Sequence, residues 1–150
     1  RDGEKTDIVW NNQENYISDG GKLEEAYAEI NETLGIKVLK VNYLPADVEL
    51  EKVSINSGQA RLTFSYEQNY VYVLEVLYSK NNSSGRFSDG QQYKSVFNEW
   101  LNRDISIQRI QQEEEQYEYS AYLEIENAYY YIHGAMEEEE FINIIENVSF

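Results

Sequence analysis

The 150-residue sequence predicts an α+β fold: a twisted antiparallel sheet of about six strands with two helices packed on one face. Three observations lead there. Apolar residues recur at helical spacing near the start (Leu23, Ala26, Tyr27, Ile30, Leu34) and at the end (Phe141, Ile144, Ile145, Val148). Between those stretches the apolar pattern has period two, broken by short turn signals. The composition, 41% hydrophobic and 14% aromatic, supports a packed core although cysteine is absent.

Residues 1–21 are polar and read as an arm or linker, ahead of one α+β domain over residues 22–150. Trp10 stands in that polar arm as either a ligand contact or an anchor that pins the arm to the body. The first helix is expected over Lys22–Leu34, with Asp19 and Gly20 ahead of it as cap residues. Glu24 and Glu25 suit its positive end, and Gly35 stops it. Ile36 to Tyr43 alternates as a strand, and the lone proline, Pro45, makes an exit turn. Strands follow over Glu49–Asn56, Arg61–Tyr66 and Tyr70–Tyr78, joined by Ser57-Gly58 and by Glu67-Gln68-Asn69, which implies an antiparallel meander. The third strand is apolar on both faces, as expected for a central strand covered on both sides.

Ser79 to Gly90 has a loop composition. Gln91 to Gln111 is divided. Tyr93, Val96, Phe97, Trp100 and Leu101 favour a helix, Val96, Asn98 and Trp100 also fit a strand, and Ile105, Ile107 and Arg109 alternate. A solvated loop is expected at Gln112–Gln116, then a half-buried strand with Tyr117, Tyr119, Ala121, Leu123 and Ile125 inward. Asn127-Ala128 turns the chain into Tyr129–His133, which Gly134 closes, and the final helix spans Glu137–Val148.

The net charge is −16, from 12 bases and 28 acids. Residues 110–150 hold 11 Glu and no base, so this region carries −11. Such a surface repels phosphate backbones and anionic head groups, which argues against nucleic acid and against direct membrane-surface binding. No catalytic signature of the GxSxG, HExxH or Walker type occurs, and no EF-hand loop. No catalytic residue, cofactor or metal site is therefore assigned, and the chain is not expected to be an enzyme. The acid clusters Glu113–Glu115 and Glu137–Glu140 read as solvated faces. The one histidine, His133, lies in a Tyr-rich strand and is either structural or a ligand contact. Of the fourteen tyrosines ten fall in predicted strands (Tyr66, Tyr70, Tyr72, Tyr78, Tyr117, Tyr119, Tyr122, Tyr129, Tyr130 and Tyr131), where they either pack the sheet or form a stacking platform. The face carrying Tyr122 and Tyr130 is the expected place for such a platform.

The run Asn127-Ala128-Tyr129-Tyr130-Tyr131-Ile132-His133-Gly134, then Glu137–Glu140 and Phe141-Ile142-x-Ile144-Ile145, resembles the C-terminal end of the DUF4367 family. The helix ending at Gly35, the turn Tyr43-Leu44-Pro45 and the strand to Tyr66 resemble its N-terminal half, and the likeness covers roughly Leu23 to Phe150. It implies two strands, not a helix, over residues 79–110. It also implies an extracytoplasmic domain of a membrane-anchored or exported protein of Firmicutes-type bacteria. The expected function is non-catalytic sensing or binding of a protein, peptide or glycan; the alternative is a cell-surface carbohydrate or peptide module using the Tyr-rich face. The membrane would be met only through an N-terminal anchor preceding Arg1, and a monomer is expected over an oligomer.

Overall fold

The computed structural model describes residues 5–9, 19–56, 58–77, 91–113 and 116–150. In chain order these form β1 (Lys5–Val9), α1 (Asp19–Leu34), β2 (Lys40–Val41), β3 (Val48–Asn56), β4 (Gln59–Tyr66) and β5 (Asn69–Leu77). There follow β6 (Gln91–Asn98), β7 (Arg103–Glu113), β8 (Gln116–Ile125), β9 (Ala128–Ala135), α2 (Glu138–Glu146) and β10 (Val148–Ser149).

Eight strands make one antiparallel sheet in the order β1-β3-β4-β5-β9-β8-β7-β6. The predicted meander β3–β4–β5 is present. A second meander, β6 to β9, returns so that β9 lies beside β5, which places the last third of the chain in the middle of the sheet. The hairpin ends are tight, and Glu67, Asn102 and Glu126 take the left-handed backbone conformation that such turns need.

Register decides which side chains share a face. Leu62 opposes Val73, Val73 opposes Ile132, Ile132 opposes Ala121, and Ala121 opposes Ile107. These residues are all buried, and both helices lie on their side. α1 packs on β3, and α2 packs on β6 and β8. The α2 stripe predicted from spacing, Phe141, Ile144, Ile145 and Val148, is fully buried. Val148 itself belongs to β10, which pairs with β2 over the same core.

Several expectations need correction. The sheet has eight strands, more than six, because residues 5–9 of the arm add β1 and residues 91–98 add β6. Gln91–Leu101 is not a helix. Phe97 and Trp100, two of the residues that gave it helical spacing, are exposed, while Val96 and Asn98 are buried at strand spacing. A bulge between Gln92 and Lys94 had disguised the alternation. The stretch Ile36–Tyr43 is a strand only at Lys40–Val41; Ile36, Val38 and Leu39 are buried in an irregular crossing over the sheet. The loop expected at Gln112–Gln116 is largely strand, since β7 runs to Glu113 and β8 starts at Gln116. Asp19 and Gly20 lie inside α1. Gly134 lies inside β9, where a Cβ would stand 2.9 Å from the Cα of Val71; glycine there lets β9 approach β5. The final helix is shorter than expected, Glu138–Glu146. The coverage expected on both sides of β5 holds on the helix side; on the other, Tyr70 is 48% exposed.

Two polar devices fix the layers. Asn98 is fully buried: its Nδ2 donates to the carbonyls of Ile145 (2.7 Å) and Val148 (3.0 Å), and its Oδ1 accepts from Leu101 N (2.8 Å). At the other end of α2, Glu138 accepts from Tyr93 Oη (2.8 Å) and Lys94 Nζ (2.7 Å). These donors hold its carboxyl below the usual range.

Candidate functional site

The face of the sheet turned away from the helices is built by the other half of each alternation. Successive side chains of a strand point to opposite faces, so Tyr70, Tyr72 and Leu74 of β5 and Tyr129, Tyr131 and His133 of β9 come to this side. Tyr72 opposes His133, His133 opposes Ser120, and Ser120 opposes Gln108. In the next row Arg61 opposes Leu74, Leu74 opposes Tyr131, and Tyr131 opposes Tyr122.

The rings in these rows touch. Tyr72 stacks on the His133 imidazole with centroids 5.0 Å apart, and Tyr131 lies 4.8 Å from the same ring. Tyr70 leans on Tyr72 at 6.2 Å, and Tyr122 on Tyr129 at 5.9 Å. The Arg61 guanidinium stands 5.5 Å from the Tyr72 ring centre. His133 Nδ1 lies 2.8 Å from Glu118 Oε2, a hydrogen bond that becomes an ion pair when the imidazole is protonated.

Two hollows flank this ridge. One, of about 410 Å³, runs over β7 and β8 and is lined by Gln92, Ser106, Gln108, Ser120, Tyr122 and Glu124, among others. Gln108 Oε1 is buried there with no donor among the described residues. The other, of about 340 Å³, is lined by Tyr70, Tyr72, Gln116 and Glu118 with their neighbours.

The residues singled out from the sequence fall in different places. His133 and Tyr122 are on the helix-free face, two strands and one row apart from Tyr72 and Tyr131 at most. Tyr130 is not with them. It opposes Leu123 on the helix side, is 1% exposed, and its Oη donates to Lys37 O at 2.5 Å. Burial raises its phenol pKa. The expectation of one face carrying both Tyr122 and Tyr130 is thus overturned by alternation: Tyr131 is the neighbour of Tyr122. Trp10 lies outside the described residues. Tyr70, Tyr72, Tyr131, Glu118 and Gln108 were not singled out, although period two from His133 leads directly to Tyr131, and the partners across β5 and β8 follow from the hairpins.

Beneath the same strands, on the helix side, Glu75 is fully buried. Its Oε1 accepts from Leu39 N at 3.2 Å and its Oε2 has no partner among the described residues. Burial pushes its carboxyl up to about 8. Tyr27, pushed up to about 12 by burial, accepts from Val41 N at 2.9 Å. Glu75, Tyr27 and Tyr130 together hold the crossing segment 37–41 on the sheet, so their role is architectural. Among the described residues, no three His, Cys, Asp or Glu side chains converge to hold a metal ion.

The model of the family described as Domain of unknown function (DUF4367) matches residues 38–148. No curated protein and no solved structure matches the chain. The match begins at the crossing segment and ends in β10, so it takes in both hollows and the described rings of the helix-free face.

Proposed function

The chain belongs to the DUF4367 family, and from that premise we propose that it is a non-catalytic domain that binds or senses a ligand outside the cytoplasmic membrane, using the helix-free face of its sheet. The observation that carries the binding role is the ridge of Tyr70, Tyr72, His133 and Tyr131 between two hollows. A sheet face with no covering layer among the described residues normally carries polar side chains. Here it carries partly exposed rings with a few fixed polar groups, the arrangement of a recognition surface. We read the domain as acting by binding and not by turnover because the sequence carries no triad, metal or phosphate-loop signature, and its one histidine is packed between two tyrosines. The extracytoplasmic location, on a membrane-anchored or exported protein, rests on the family resemblance. A second reading is a cell-surface module that takes a peptide or glycan on the same tyrosines.

One experiment tests both halves. Intact cells expressing the full gene are treated with an added protease, and the purified domain is separately mixed with isolated cell envelopes. Cleavage before lysis and retention on envelopes are expected. Retention should fall several-fold in the Tyr72→Ala, Tyr131→Ala double variant and hold in Trp100→Ala, an exposed ring in the β6–β7 turn. Protection until lysis overturns the location, and equal retention of all three folded proteins overturns the face.

A further inference from the structure

The polar groups of the helix-free face restrict what can lie on it. The face carries Arg61 and Arg103 against Asp104, Glu118 and Glu124, and the chain's net charge of −16 weighs against an anionic ligand. Beside these charges the hollow offers neutral donors and acceptors: the hydroxyls of Ser106 and Ser120, the Gln108 amide, and the Gln92 amide, whose Nε2 also donates to Lys94 O at 3.3 Å. They adjoin partly exposed rings, Tyr70 the most open of them, that offer apolar contact. Gln108 Oε1, buried without a donor among the described residues, is an acceptor that an incoming O–H would satisfy.

We propose that this face binds a polyhydroxylated chain, an oligosaccharide without acidic groups, laid across β5, β9, β8 and β7. The proposal rests on the binding role argued above and names its ligand class. Sugar rings present apolar C–H faces to the Tyr72–His133–Tyr131 ridge and hydroxyls to the hollow over β7 and β8. From Tyr72 to Gln108 the row crosses three inter-strand spacings, roughly 14 Å. That length suits a short oligosaccharide and exceeds a single sugar. Gln108 and Ser120 are the specificity groups, and the rings are the platform.

The envelope-retention assay separates this proposal from the reading beneath it. Envelopes are divided into three portions: untreated, protease-treated, and treated with periodate plus lysozyme to destroy glycans. Loss of retention on the glycan-depleted portion alone is expected. Gln108→Leu, which keeps the bulk and removes the acceptor, should raise the envelope concentration for half-retention about tenfold, while its thermal midpoint stays near that of the parent. Loss on the protease-treated portion alone overturns the glycan assignment in favour of a peptide and leaves the binding face standing. An unchanged half-retention in folded Gln108→Leu overturns the hollow as the specificity site. No retention on any portion removes the binding role itself.

Discussion

Glu75 is the residue whose chemistry departs furthest from its type. Its carboxyl group is fully buried, has one backbone donor, and is pushed up to about 8 from a reference of 4.5. Between those values the folded chain holds a proton that the unfolded chain has lost. Stability from this group is therefore complete below about pH 4.5 and declines as pH rises to about 8, at up to roughly 1.4 kcal/mol per pH unit. Glu75→Gln keeps the shape and the acceptor for Leu39 N but cannot ionise. Urea unfolding of both proteins at pH 5, 6.5 and 8 should show the variant gaining on the parent by a few kcal/mol as pH rises; parallel pH curves would refute the buried-carboxyl account. The position was legible in the sequence, because period two places Glu75 in the row of Val71, Val73 and Leu77. Its partner was not, since Leu39 lies in a segment with no regular pairing. Tyr130 teaches the converse: in a run of three tyrosines, residue type says nothing about face, and only the register separates the buried Tyr130 from the partly exposed Tyr131.

At the level of elements, the long periodic segments read correctly and the short or interrupted ones did not. α1, β3, β4, β5, β8 and α2 each bury the stripe that their spacing announces. β6 failed because its bulge breaks the alternation, and because a buried asparagine argues against a core strand until its partners are known. Those partners make a prediction. Asn98 ties three backbone groups from the α2 C-terminus, β10 and the β6–β7 turn into one node. Asn98→Leu would keep the volume and orphan those groups, at about 1–3 kcal/mol for each group left buried. The variant should lose about 3 kcal/mol of unfolding free energy. Hydrogen exchange should quicken first in Glu138–Ser149. A loss under 1 kcal/mol, or exchange that quickens evenly, would mean that α2 docks through its apolar stripe alone. The platform was legible as tyrosine in strands but not as a site, because a site needs the rows to be aligned across β4, β5, β9, β8 and β7, and alignment depends on the exact hairpin turns.

The whole molecule sets charge against edges. β6 closes one side of the eight-stranded sheet, and near it Phe97 and Trp100 are 51% and 66% exposed. A strand edge with no partner among the described residues, beside exposed rings, is a template for self-association. The opposing term is the net charge of −16, which makes every encounter between copies repulsive at neutral pH. Lowering pH toward the isoelectric point of about 4.3 removes that repulsion while leaving the edge intact. Over the same range Glu75 adds to stability, so acid should produce association of folded chains before unfolding. Light scattering at low salt should report monomers at pH 7 and growing particles as pH approaches 4.5, with the far-ultraviolet β signature unchanged. The double variant Phe97→Ser, Trp100→Ser should move the onset to lower pH or abolish it. If the variant associates at the same pH as the parent, the edge is not the contact. If scattering at pH 7 already shows dimers that survive 0.5 M salt, charge is not what keeps the copies apart, and a specific interface must lie elsewhere on the surface.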